Sequence, residues 1–265
     1  MAKRTYMNSL QEYVRNNFDG ILVISDVHSD YASFMRAYEF AKSEHFFFMS
    51  IGDLVDRGRY PFETVKAMAE IIDNGFGGLC IGNHDDKFVR YARGAKVSFS
   101  LDAKQTLVDV GPEREADFLQ TYVKMVEDAP FSADFHKFDN ITLVHAASHP
   151  AMWENHTTVS KSVRSRYIVG ETTGKMDRDG KPERLYNWIE EIPFGKTVIV
   201  GHDCQPIYNV SIVEPLLVSN KNGGKAVFID TGNGKGGFLT AAVIMVDKNK
   251  FNIESYVDFK KAVIS

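Results

Sequence analysis

Ile21-Leu22-Val23-Ile24, followed by Ser25-Asp26-Val27-His28, is a short apolar run with a polar tip. An unbroken run of this kind marks a strand buried on both faces, and such strands belong to parallel sheets covered by helices. The pattern then recurs. Tyr31 to Ser43 carries apolar residues at helical spacing, and Phe46 to Ile51 is a second apolar run tipped by Gly52-Asp53. Pro61 to Asp73 reads as a helix with proline in its first turn, and Gly78 to Ile81 is a third strand tipped by Gly82-Asn83-His84-Asp85. Asp26 and Asp53 stand 27 residues apart and Asp53 and Asn83 stand 30 apart, intervals that suit successive strand, helix, strand crossovers. The three tips should therefore gather at the carboxyl ends of neighbouring parallel strands, where open α/β sheets place their ligands.

Outward from this block, Ser9 to Val14 shows a weak helical pattern on the amino-terminal side. On the other side, residues from about 86 to 139 turn helical, with Phe118, Tyr122, Val123 and Val126 on one face, and predict a helical insertion. Strand signals resume at Ile141 to Val144, Thr197 to Val200, Ala226 to Ile229 and Phe238 to Val246, which together suggest a second, partly antiparallel sheet. No proline-rich linker, repeat or low-complexity tract divides the chain. The expected architecture is α/β, a two-sheet β-sandwich flanked by helices, as one domain over residues 1–265.

Composition narrows the function. The 265 residues are 44% hydrophobic and 25% charged, enough to bury a sizeable core, and the formal net charge of −4 gives no global field for wrapping a polyanion. Two cysteines, Cys80 and Cys204, supply neither a disulfide framework nor a cysteine zinc finger. The start, Met1 to Leu10, is polar, and no stretch approaches the roughly 18 apolar residues of a membrane span. A cytoplasmic protein without membrane attachment is expected, and no obligate protein partner is evident.

The strand tips collect Asp26, His28, Asp53, Asn83, His84, His145 and His202, with Asp56 and Arg57 in the turn after Asp53. Alone, such an aspartate caps a turn and such a histidine packs in a core. Together, carboxylate, imidazole and amide oxygen suit borderline-hard divalent ions such as manganese, iron or zinc. Two ions need about this many ligands, one of them shared, and Asp53 could bridge.

Asp26-Val27-His28, Gly52-Asp53-Leu54-Val55-Asp56-Arg57-Gly58, Gly82-Asn83-His84-Asp85, Val144-His145 and Gly201-His202 follow one another in a known order. From Ile21 to about Thr240 the chain resembles the calcineurin-like metallophosphoesterases, and within them the phosphoprotein phosphatase branch. Gly82 to Gly94, Gly170-Glu171-Thr172-Thr173-Gly174 and Ile229-Asp230-Thr231-Gly232 look like the phosphatase module of bacterial polynucleotide kinase-phosphatases. Bacterial and phage diadenosine tetraphosphatases and small serine/threonine phosphatases are similar too.

The resemblance implies two divalent ions, manganese first and iron, zinc or nickel otherwise. Asp26, His28 and Asp53 would hold one, and Asp53, Asn83, His145 and His202 the other. A hydroxide shared by the ions would attack phosphorus directly. His84 would be the general acid, oriented by Asp56, and Arg57 would bind phosphate oxygens. Asp230 matches a functional position on the substrate side, and Arg164 is a candidate for a second phosphate contact. The implied activity is metal-dependent hydrolysis of a phosphate monoester on a nucleotide or nucleic-acid end. A phosphoprotein or a dinucleoside polyphosphate is the alternative substrate, and a catalytically silent scaffold is the alternative from another class.

Departures from the family pattern fall around the ligands: Ser25 and Ser29 flank the first motif, Ile81 and Asp85 flank Gly82-Asn83-His84, and Asp203-Cys204 follows His202. Gly232-Asn233-Gly234-Lys235-Gly236-Gly237 fits a dinucleotide-binding pattern, but it enters a strand and not a helix, so a flexible hairpin is expected there. Lys87, Arg90, Arg93 and Lys96 would form a basic stripe on a helix leaving the site, either a track for a nucleic-acid end or a solvated face. His45, His136, His149 and His156 are expected to be surface or packing residues, as are Trp153 and Trp188.

Overall fold

Alternation within the apolar runs sorts the strand side chains onto two buried faces. In the computed structural model, which describes residues 2–154, 159–176, 182–207, 211–247 and 250–258, the chain opens with α1 (Ala2–Asn17), β1 (Gly20–Ile24), α2 (Tyr31–Ser43), β2 (Phe46–Ser50), α3 (Pro61–Asp73) and β3 (Gly77–Cys80). Leu22, Ile24 and Phe48 face the helices, whereas Ile21, Val23, Phe47 and Met49 face the opposite way. Both sets are buried, which explains why the runs carry no polar residue. Each such side chain contributes about 1.5–3 kcal/mol relative to exposure.

Three further helices follow, α4 (Asn83–Ala92), α5 (Leu101–Val110) and α6 (Glu115–Val123). Phe88, Phe118 and Tyr122 from this segment pack with Phe34, Val65 and Met68 of α2 and α3 over the outer face of the first sheet. Next come β4 (Ser132–Ala133), β5 (Phe135–Phe138), β6 (Ile141–Val144), α7 (Lys161–Val169), β7 (Glu171–Met176), β8 (Pro182–Leu185) and β9 (Thr197–Val200). The last strands are β10 (Leu216–Ser219), β11 (Lys225–Phe228), β12 (Thr240–Asp247) and β13 (Lys250–Asp258).

One sheet has the order β13-β12-β1-β2-β3-β4 and a second β10-β11-β9-β6-β5, while β7 and β8 form a separate hairpin. β1 to β4 pair in parallel, as do β6, β9 and β11. Between the sheets, Ile21, Val23, Phe47 and Cys80 meet Leu143, Ile199 and Val227. Behind the second sheet, Val144, Val198 and Val200 pack on Tyr167, Ile168 and Trp188.

Three expectations are corrected. The strand near Phe238 to Val246 joins the first sheet and not the second, because β12 runs antiparallel beside β1 with Ile24 opposite Ala241. The segment to residue 139 is helical only in its first part, since β4 and β5 occupy 132–138. In β5 the buried positions alternate as His136 and Phe138, and a buried histidine hides the apolar alternation of a strand. Residues 230–238 form the expected hairpin turn, closed by an antiparallel bridge between Thr231 and Phe238, but it is docked and not free: Asn233 Nδ2 donates to the Val27 carbonyl at 2.7 Å. His45 is exposed against Asp19, His149 caps a short turn at Ala151, and Trp188 is core. His156 lies outside the described residues.

Candidate active site

Five strand ends converge, those of β1, β2, β3, β6 and β9. The turns after β1 and β2 are zipped together: Asp26 N–H donates to the Gly52 carbonyl at 3.0 Å, His28 N–H to Asp53 at 3.1 Å and Ser29 N–H to Leu54 at 2.8 Å. This forces unusual backbone. Of eleven non-glycine residues with positive φ among the described residues, seven are Asp26, His28, Ser29, Asp53, Asp56, Arg57 and His202, a concentration of strain typical of functional turns. Close approach also requires glycine in these turns. A Cβ on Gly82 would meet Asp53 Oδ1 at 2.3 Å, and one on Gly201 would meet Ser25 Oγ at 1.7 Å.

Asp85, buried at the start of α4, ties these turns from beneath. Its carboxylate accepts from the N–H groups of Asp53 at 2.8 Å, Leu54 at 3.1 Å and Gly82 at 2.9 Å, and from the Tyr122 hydroxyl at 3.0 Å. Burial, reinforced by the Asp53 carboxylate, raises its pKa against those donors. This bracing role carries no signal in the sequence beyond the position of Asp85 next to the Gly-Asn-His triplet.

Two donor groups form around Asp53. Asp26, His28 and Asp53 bring ligand atoms within 4.8 Å of one another, and so do Asp53, His145 and His202. The ring tautomers suit this use. His28 Nδ1 faces the Val55 carbonyl at 2.9 Å and His145 Nδ1 faces the Ile51 carbonyl at 2.8 Å, so each donates there and turns Nε2 toward the centre. His145 Nε2 lies 3.4 Å from Asp53 Oδ1, 3.3 Å from Asn83 Oδ1 and 3.1 Å from His202 Nδ1. Burial opposes charging of His145, but Asp53 outweighs it and pushes the ring up to about 10. Asp26 Oδ1 is buried without a hydrogen-bond partner among the described residues, a cost that a cation would remove. Carboxylate, amide and imidazole donors in two groups sharing one aspartate fit a pair of divalent ions.

His84 sits beside this centre. Its N–H donates to Asp53 Oδ1 at 3.0 Å, and its Nδ1 is hydrogen-bonded to Asp56 Oδ2. Burial works against the charged ring, yet Asp53 and the Asp56 hydrogen bond together raise the His84 pKa. The other Asp56 oxygen accepts from Thr106 Oγ1 at 2.7 Å, so α5 fixes the carboxylate that fixes the imidazole. Arg57 contacts His28 Nε2 and places its Nε 3.5 Å from Asp102 Oδ2, also on α5.

These residues floor a cleft of about 550 Å³. Its opposite wall comes from Arg184 on β8, Tyr186, Asp203, Cys204 and Lys235, none of which the sequence marks by spacing. Arg164 and Asp230 do not line the cleft. Arg164 is held between Asp134 at 2.9 Å and Asp86 at 2.8 Å. Asp230 is 2% exposed, accepts from Gly232 N–H at 2.9 Å, and is pushed up to about 8 by burial and then by Asp26. In the basic stripe, Arg90 stands 3.8 Å from Asp86 and Arg93 pairs with Glu127, and the helix ends at Ala92, before Lys96.

A family profile described as calcineurin-like phosphoesterase matches residues 20–221. A protein of Halalkalibacterium halodurans named bis(5'-nucleosyl)-tetraphosphatase PrpE [asymmetrical] is 25% identical over 234 residues, covering 83% of this chain and 87% of its own. Among solved structures, a candidate diadenosine tetraphosphatase superposes with a TM-score of 0.55 at 19% identity, covering 92% of this chain and 95% of its own. A protein serine/threonine phosphatase from Saccharomyces cerevisiae gives 0.52 at 10% identity over 94% of this chain and 87% of its own. At these identities the two structures speak for the fold.

Proposed function

The chain belongs to the calcineurin-like phosphoesterase family, a metal-dependent group of phosphoester hydrolases, and we propose that it acts through a dinuclear centre on a nucleotide polyphosphate. The observation that carries this reading is Asp53, a member of both donor groups. Asp26, His28 and Asp53 would hold one ion, and Asp53, Asn83, His145 and His202 the other, with manganese as the first candidate. Ions bound there would lower the pKa of water and offset phosphoryl charge.

The chain's own groups perform the remaining work. Arg57 presents a planar fork to the phosphoryl oxygens and offsets the charge that develops on them. Protonated His84, the form that Asp53 and Asp56 favour against burial, donates its Nε2 proton to the departing oxygen. Asp56 fixes the ring through Nδ1, which leaves Nε2 facing the centre 3.7 Å from Asp53 Oδ2, and Thr106 holds Asp56.

Two observations favour a dinucleoside polyphosphate over a nucleic-acid end. The similar Halalkalibacterium halodurans protein is named for bis(5'-nucleosyl)-tetraphosphate cleavage. The stripe that would guide a nucleic-acid end is partly engaged with Asp86 and Glu127. Manganese-dependent turnover of diadenosine tetraphosphate, a 3'-phosphorylated RNA oligonucleotide and a phosphoserine peptide tests this, with product analysis. Formation of ATP and AMP as the preferred reaction supports it, and preference for either other substrate overturns the substrate assignment.

A further inference from the structure

Three basic side chains line the cleft: Arg57, Arg184 and Lys235. Two of them already face carboxylates, Arg57 Nε at 3.5 Å from Asp102 and Arg184 Nε at 3.5 Å from Asp203. Lys235 differs. Among the described residues it makes no ion pair, and its ammonium donates to the Cys204 thiol at 3.4 Å, a weak acceptor.

An exposed lysine usually needs no explanation, because its flexible stem lets the charge stay in water. The backbone beneath this one is fixed. Lys235 N–H donates to the Gly232 carbonyl at 2.9 Å, Gly232 N–H to Asp230 Oδ1 at 2.9 Å, and Asn233 to Val27 at 2.7 Å, inside the turn that carries Asp26 and His28. Gly234 adopts φ +76°, and a Cβ there would come within 2.8 Å of the His28 Cβ. The loop thus lies directly on the Asp26-Val27-His28 turn and brings to the cleft beside it a positive charge that acts on the buried Asp230 carboxylate from a distance but makes no ion pair among the described residues.

The phosphoryl group under attack is already provided for by the metal donors and Arg57. A further cation next to them is surplus for a monoester and fits a second phosphate joined to the first. We propose that Lys235 is a specificity-determining residue that pairs with the phosphate adjacent to the one attacked, so that the cleft selects phosphoanhydride-linked phosphates over single ones. The proposal rests on the phosphohydrolase reading of the same site. A lysine suits this role, since a compact charge on a four-carbon stem follows the varied positions of a flexible polyphosphate better than a rigid fork does.

The test compares the manganese-loaded full chain with Lys235→Ala and Lys235→Arg. Hydrolysis of p-nitrophenyl phosphate reports the site for one phosphate. Its inhibition by inorganic phosphate and by methylenebisphosphonate, a two-phosphate ligand that is not cleaved, isolates the neighbouring position. Lys235→Ala is expected to weaken methylenebisphosphonate about tenfold or more, with phosphate inhibition and kcat/KM for the aryl ester within about twofold, and Lys235→Arg to recover most of the loss. Equal weakening of both inhibitors, or no change in either, overturns the proposal. If the wild type hydrolyses no phosphate compound, the functional reading fails on its own. Calorimetric binding of the same two ligands to wild type and variants then still decides the role of Lys235 by the same ratio.

Discussion

Residues 20–85 and residues 141–238 build the site in different ways. The first stretch contributes Asp26, His28, Asp53, Asp56, Arg57, Asn83 and His84 from three adjacent strand ends whose turns hydrogen-bond one another and rest on one buried carboxylate, Asp85. Among the described residues, the second supplies donors to the centre through His145 and His202, and devotes its connections to the rest of the cleft lining, Arg184, Tyr186, Asp203 and Lys235. On the proposed reading, the reaction chemistry falls to this hydrogen-bonded block and the choice of what enters falls to longer connections. Loops can vary there without disturbing the ligands.

The strongest way to break this division is to compare one shared ligand with one unshared ligand. Asp53→Asn should empty both donor groups, lowering turnover by well over about 10²-fold, the upper range for merely supporting residues. His202→Ala should affect one group alone. Metal analysis of the purified proteins checks this, and equal metal loss in the two variants would contradict a bridging Asp53. Next in size is His84→Ala, expected to slow substrates with poor leaving groups by about 10²–10⁴-fold and p-nitrophenyl phosphate much less. A uniform loss across leaving groups removes His84 from the role of acid.

The smallest effect concerns the seam between the two regions. His136, on β5 of the second sheet, places Nε2 3.3 Å from the Leu79 carbonyl and 3.1 Å from that of Phe131, and burial pushes it down to about 4. An unfolded chain carries this ring at 6.5. Between those values the unfolded state binds the proton and the folded state does not. The stabilisation is therefore complete above pH 6.5 and lost as the pH falls toward 4, by about 3 kcal/mol. Chemical unfolding of His136→Gln at both ends of that interval should show a pH dependence shallower by that amount. An unchanged slope would mean that the seam titrates elsewhere.

The legible parts of the molecule were those in which chemistry dictates residue type. A buried parallel strand reads as a continuous apolar run, and a metal ligand is drawn from few residue types, aspartate, histidine and asparagine among them, so β1 to β3 and their tips stand out in the sequence. The far wall was not legible, because Arg184, Tyr186 and Lys235 are brought together by connections of unequal length and carry no mutual spacing. Asp85 and Thr106 act through other side chains, and nothing local separates a bracing aspartate from a solvated one. The partnership of β12 with β1 was hidden for a topological reason: alternation identifies a strand but not its neighbour.

That partnership has a consequence for the newborn chain. Ile24 finds Ala241 only after more than two hundred further residues have been made. At synthesis rates of about 5–20 residues per second, one edge of an entirely apolar strand waits uncovered for roughly 10–40 s on the ribosome. During this time the strand is a template for any extended segment nearby, so the synthesis of β12 covers that edge of the first sheet and ends its exposure to aggregation.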